Sequence, residues 1–563
     1  MKSPNRNHFS IVLLCMMCCC QVKSDQGEFQ RELQSINFTR GEITLCGSEE
    51  GQFGKVGFDL SCVEKVRANF NLATALLHSF EYTEAEKIFV KVIDEDPDCL
   101  MAYWGVAMSN FHPLWSPPTN EELEKGSRTI KLARSLQGKS KRESDYLEAV
   151  GVMFDDWDKL DHATRILKFE KAAEEIYLKY PDDKEAAVFY ALALRAASDP
   201  ADKSFSRQRK AGEILNALFS NEPDHPGIAH YLIHTFDYPE LAELALPAAR
   251  KYASLAATSA HALHMPSHIF TRLGLWDESI QSNINMISAA KCYAEKSGIK
   301  GHWDEELHGI DYLVYAYLQQ GRDENAREQL EYLRTIDEVF PINNKEAYTF
   351  AAVPTRYALE QKNWKEAAAL ELKPDRFPWN DFLWEKSIVS FGKVLGAIHL
   401  RDMDMAKASL DELQINYAKL VEKKRTYEAQ QVRIQIRASE AWMQFSQGHK
   451  QEAIRLMTEA AAMEDATDKH PVTPGEVSPA RELLGDMLME MGEFAKALEA
   501  YEADLKKHPG RFNGLYGAGL AAKKTGETEK ATVYFQQLLS IAQRSEMKRP
   551  ELAAAKLFLK QNS

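Results

Sequence analysis

The chain is predicted to be all-α, a right-handed superhelix of stacked helix hairpins. Three observations carry that expectation. The first is an internal repeat: MGEFAKALEAYEADLKKHPG from Met491 is echoed by TGETEKATVYFQQLLSIA from Thr525. Gly492 and Gly526 stand 34 residues apart, each followed five later by Ala497 or Ala531 and nine later by Tyr501 or Phe535. The second is recurrence of the glycine-plus-five-alanine pair at Gly448/Ala453 and Gly321/Ala326, with Gly274/Ser279 as a degenerate copy. The third is the absence of any sustained period-two alternation, the mark of a half-buried strand. A lone helix hairpin cannot bury its apolar face, so copies at a fixed period stack and share one core.

Taken in order, residues 1–24 read as a secretory signal. Lys2 and Arg6 supply a basic start, Phe9 to Val22 an apolar run, and Val22-Lys-Ser24 an exit for signal peptidase. Lipidation at Cys18, Cys19 or Cys20 is the weaker reading, because Met16-Met17 makes a poor lipobox. The predicted product is secreted or periplasmic. Residues 25–62 form an N-terminal segment in which Cys46 and Cys62 bracket a Gly-rich loop and are expected to pair in an oxidising compartment. Cys99 and Cys292 are read as inert buried thiols. Asn37-Phe-Thr39 is a glycosylation sequon, meaningful in a eukaryotic host.

Residues 63–345 are read as the main solenoid and 346–563 as plainer C-terminal repeats. The spacings 274 to 321 and 448 to 492 exceed 34, implying longer helices or inserted loops such as Pro471 to Pro479. Near the start, Leu72, Ala73, Ala85, Phe89 and Pro97 fall in repeat phase. Aromatic loops at Phe111 to Pro118 and Phe377 to Trp384 are read as seals between repeats, since clustered aromatics are more often core than site.

With 45% hydrophobic and 27% charged residues the composition is that of an ordinary globular protein. The formal charge is −14, and nearer −17 without the basic leader. That balance argues against a nucleic-acid partner, which would call for a basic stripe. After the leader no run approaches the ~20 apolar residues of a membrane span.

Six of the 16 histidines fall in three stretches at helical spacing: His230 and His234, then His261, His264 and His268, then His308 ahead of Asp311. Residues three or four apart share a helix face. Imidazoles on neighbouring helices suit zinc, copper or iron, with a carboxylate as mixed ligand. The candidate metal ligands are therefore His230, His234, His264, His268, His308 and Asp311. Asp237, Glu240, Asp304, Glu305 and Glu306 are the acids placed to orient them. Two features count against this. Pro266 stands between His264 and His268, and a helix beginning near Met265 would break their register. Neither pair has the intervening Glu of a zincin protease. No phosphate loop, nucleophile elbow or dinucleotide fingerprint is found, so catalysis stays open.

The 34-residue period, with small residues at helix crossings and Pro509 closing a unit, resembles the tetratricopeptide repeat. That resemblance implies a concave groove lined by positions two, five, nine, twelve and thirteen of each unit, with glycine at fifteen. Counting back from Gly274 puts His261, His264 and His268 at two, five and nine. Counting back from Gly321 puts His308, Asp311 and Tyr315 there. Anchoring on Ala242 puts His234 at twelve and His230 at eight, and one residue of slippage would bring His230 to nine. Further, HALHMPSHIFTRLG from His261, with His225 to His234, Tyr103 to Ser109 and His112 to Trp115, resembles a family of secreted bacterial tetratricopeptide-repeat proteins of no established activity. The likeness spans most of 55–330. The favoured reading is an exported repeat protein whose histidine-lined site binds a transition metal or small ligand. The alternative is a scaffold whose groove takes a peptide or protein partner.

Overall fold

The computed structural model describes residues 27–46, 53–114, 116–137, 140–255 and 258–562. The leader, the 47–52 loop and Trp115 lie outside them. Helix follows helix over nearly the whole described chain, as the repeat predicts. The exceptions are two parallel two-residue strands, β1 (His302–Trp303) and β2 (Val339–Phe340), paired His302 to Val339.

The chain divides into two compact units. One comprises residues up to 43 and 53–235; the other comprises 44–52 and 236–563. The division expected near 345 is not where the packing breaks. Lys345 forms ion pairs with Asp304 and Glu305, and Thr349 Oγ1 donates to the Leu307 carbonyl at 3.1 Å, so the chain on either side of 345 is one body.

The helices used below are numbered in chain order. In the first unit they are α1 (Arg67–His78), α2 (Tyr82–Glu95), α3 (Leu100–Ser109), α4 (Lys184–Ala196) and α5 (Pro226–Phe236). Ala73, Ala85 and Phe89, placed in phase from the sequence, are fully buried where α1 and α2 cross. A Cβ on Gly105 would lie 2.4 Å from the Phe89 ring, so α3 approaches α2 on a residue without a side chain.

The second unit contributes α6 (Ala260–His264), α7 (Pro266–Arg272), α8 (Trp276–Ser297), α9 (Asp304–Gln319) and α10 (Asn344–Glu360). Its C-terminal hairpins are α11 (Ala480–Met491) with α12 (Phe494–Lys507), and α13 (Phe512–Thr525) with α14 (Thr528–Ile541). The repeat glycines Gly274, Gly321, Gly448, Gly492 and Gly526 all have positive φ, ending the first helix of each hairpin left-handed. The alanines five residues on, Ala326, Ala453, Ala497 and Ala531, are fully buried. Tyr501 of α12 is clamped: a Cβ on Gly485 or on Gly517 would meet its ring at 2.6 or 2.4 Å. The aromatics at Phe377 and Trp379 are buried, with Phe377 edge-on to Phe350, and serve as seals.

The cysteine expectation is corrected. Cys62 is bonded to Cys99 within the first unit, and Cys46 to Cys292 within the second. Proximity in sequence misled: Cys99 caps the start of α3, and Cys292 lies on α8, whose Lys296 also donates to the Leu45 carbonyl at 2.9 Å.

Candidate metal centre

The second unit brings together His264, His268 and His308, each with a ring nitrogen within 4.8 Å of the others. Their rings pack closely, with His264 centred 4.2 Å from His308 and 4.8 Å from His268. All three are buried, so they lie in the interior and not on an open groove.

The proline objection does not hold. Helix α6 ends at His264 and α7 starts with Pro266, but Met265 between them keeps φ −50° and ψ −39°, right-handed helical values. Pro266 sits at the first position of α7, where a missing N–H costs little. The helical twist therefore runs on across the junction, and the Nε2 atoms of His264 and His268 face each other at 3.0 Å.

The outer nitrogens decide the tautomers. His264 Nδ1 lies 2.8 Å from Asn283 Oδ1 on α8, while Asn283 Nδ2 donates to the Ser279 carbonyl at 2.7 Å. That second bond fixes which end of the amide faces the imidazole, so His264 Nδ1 must carry the proton. His268 Nδ1 lies 3.0 Å from Asp237 Oδ2. Burial works to raise Asp237, but Lys469, Arg272 and His268 together hold its carboxyl well below the usual range. It is a carboxylate and accepts from His268. Both Nε2 atoms are thus bare lone pairs pointed at each other. A proton between them is opposed: burial first, and His268 next, keeps His264 well below its usual value, and burial lowers His268 as well. Outer N–H groups held by a carboxylate and an amide oxygen orient imidazoles in the way a metal-ligating histidine requires, so these residues could hold a metal.

Tyr312 of α9 flanks the group, its ring 4.6 Å from His264 and its hydroxyl donating to the Thr473 carbonyl at 3.0 Å. The segment 466–479, which contains no helix, lies over this region. Tyr348 and Arg356 of α10 donate to the Gly475 carbonyl at 3.1 and 3.3 Å. Lys469 reaches Asp237 at 3.5 Å, and burial lowers its ammonium to about 8 despite that carboxylate.

Asp311 does not join the histidines. It is buried against the Arg356 guanidinium, one turn along α9 from His308, and its charge is committed there. Among the acids expected to orient ligands, only Asp237 does so. Asp304 and Glu305 hold Lys345, Glu306 takes His302 and the Tyr332 hydroxyl, and Glu240 is exposed.

His230 and His234 belong to the first unit. Their Nε2 atoms are 3.1 Å apart, and His230 Nδ1 donates to the His78 carbonyl at 2.6 Å. Phe80, held at φ 61°, covers both rings, with centroids 4.4 and 5.3 Å away. The same unit holds a group the sequence reading missed: Glu185 accepts from His78 at 3.0 Å and His225 at 2.9 Å. His78 Nδ1 accepts from Tyr231, and His225 Nδ1 from the Ile228 amide. Each ring nitrogen there has a complementary partner, and no ion is called for.

A separate cavity of about 620 Å³ in the second unit is lined by apolar residues such as Leu333, Phe350 and Leu370 and by charged residues of both signs, Arg334 and Asp375 among them. It contains none of the histidines.

Tetratricopeptide-repeat models match residues 66–99 and 482–546, the α1–α2 hairpin and the C-terminal pair. No curated protein sequence matches the chain. Two solved structures are similar over most of its length. One is the crystal structure of the APC/C hetero-tetramer Cut9–Hcn1, 13% identical, covering 88% of this chain and 90% of that one, with a TM-score of 0.30. The other is the human IFIT1 dimer with PPP-AAAA, 14% identical, covering 85% and 92%, with a TM-score of 0.34.

Proposed function

We propose that this chain, a tetratricopeptide-repeat protein, is an exported metalloprotein that holds a divalent transition metal at His264, His268 and His308. The repeats are those of a protein-interaction scaffold, and the metal site is set inside one part of it. The observation that carries the reading is the pair of Nε2 lone pairs 3.0 Å apart with both Nδ1 protons pinned, by Asn283 and by Asp237. A donor set of three imidazoles suits zinc or copper, and iron less well without a carboxylate. Three protein ligands leave a coordination position open, the pattern of a catalytic more than a structural site. A metal there would supply Lewis acidity or a lowered water pKa. Two cysteine pairs at bonding distance support passage through an oxidising compartment, in keeping with the signal-like leader.

The test is a titration of metal-free protein with Zn²⁺ against a chromophoric chelator. One tight site is expected, abolished by His264→Ala and weakened by His308→Ala. Binding no stronger than background in the wild type would sink the reading. The scaffold reading would then stand alone, with the cavity beside Phe350 as the surface to examine.

A further inference from the structure

We propose that Lys469 and the three-histidine metal together form a binding site for a small oxyanion, a carboxylate or phosphate group. This rests on the metal reading and names the class of ligand that completes it.

The argument starts from hydrogen bonds. An ammonium has three N–H donors. Lys469 is buried, its side chain 4% exposed, yet among the described residues its ammonium has one hydrogen-bond partner, Asp237 Oδ2 at 3.5 Å. That carboxylate is already engaged more closely by Arg272 Nε at 2.9 Å and His268 Nδ1 at 3.0 Å. Arg272 also donates to the Asp237 carbonyl at 3.2 Å. One carboxylate thus faces two cations, and Lys469 is the one held at a distance. The other acid in its surroundings, Glu476, is taken by His508 at 2.9 Å and Lys507 at 3.7 Å. A buried ammonium with unused donors is costly, and an anion is the complement that relieves it.

Charge points the same way. Three imidazoles are neutral ligands, so a divalent ion bound by them keeps its full charge and adds to the surplus from Lys469. Neither Asp311 nor Glu305 offsets it, because Arg356 and Lys345 hold them. An oxyanion bound to the open metal position and hydrogen-bonded by Lys469 neutralises both at once. Lys469 lies on the helix-free segment 466–479, which is held through the Asp468, Thr473 and Gly475 carbonyls and through Glu476.

Cobalt(II) serves as the probe. The metal-loaded protein is titrated separately with inorganic phosphate and with acetate while the visible absorption of bound cobalt is followed. A saturable band shift is expected, and the anion that produces it identifies the source. Lys469→Met should weaken that anion's affinity about tenfold or more, as loss of a charge-assisted hydrogen bond implies. Its cobalt affinity should be retained or rise, since Lys469 is not a ligand and its charge opposes that of the metal. Lys469→Arg should retain most of the response. Bound cobalt that ignores both anions, or responds equally in Lys469→Met, would overturn this inference alone. Failure to bind cobalt at all would overturn the metal reading beneath it.

Discussion

At the scale of residues, the outer contacts of the histidines matter as much as the histidines. Asp237→Asn and Asn283→Leu should each lower metal affinity about 10- to 100-fold by releasing an outer imidazole N–H. Competition titration checks both, and unchanged affinity in either would remove that residue from the site. Much of this was hidden from the sequence. The i,i+4 pair His264/His268 was legible because helical spacing fixes which side chains meet. Asn283 and Lys469 were not, because they arrive from α8 and from a loop about two hundred residues downstream, and no local pattern marks either. Asp311 was misassigned because phase on a helix says nothing about Arg356 across the interface. A second residue-scale prediction concerns His508, which bonds Asp504 at 2.8 Å and Glu476 at 2.9 Å. Burial opposes its charge, but the two carboxylates outweigh that and push it up to about 9. Its folded value thus exceeds the usual ~6.5, so its contribution to stability is full below that pH and is lost as pH rises toward 9. Glu464, raised by burial and by Glu476 to about 8, acts in the same direction. Denaturation midpoints should fall between pH 6.5 and 9, and His508→Gln should flatten that slope.

At the scale of elements, the repeat glycines and alanines were readable because each has a geometric job: a left-handed helix end or a close crossing. Gly517→Ala tests the second kind. Its methyl would fall 2.4 Å from Tyr501, which Gly485 blocks from the other side. We expect a loss of about 1–3 kcal/mol by overpacking, read by chemical denaturation. An unchanged midpoint would mean that the α11–α12–α13 packing is looser than described. Pro266 was the element-level misreading. A proline normally signals a helix boundary, and here the hydrogen-bonded boundary is real while the backbone dihedrals run through it. Pro266→Ala should therefore leave metal affinity within about threefold of wild type, since the register of His264 and His268 is set by Met265 and not by the proline ring. A large loss would show that the ring itself holds the register.

At the scale of the whole molecule, repeat stacking gives two units that each carry one cysteine pair. The Cys46–Cys292 link closes 246 residues of sequence and Cys62–Cys99 closes 37. Non-reducing peptide mapping should recover those two pairs, and in the chain-entropy account reduction should cost about 4 kcal/mol for Cys62–Cys99 and about 5.5 kcal/mol for Cys46–Cys292. Recovery of Cys46 joined to Cys62 would contradict the structure. All-helical class was legible because periodicity is local. Cysteine partners were not, because they depend on which helices meet. The central claim is that the buried imidazoles of the second unit hold a metal, and elemental analysis tests it most directly. The protein should be purified without an affinity tag, beside the double variant His264→Ala, His268→Ala. The account predicts one transition-metal ion per chain in the wild type and none in the variant. Substoichiometric metal, unchanged by the double substitution, would contradict it.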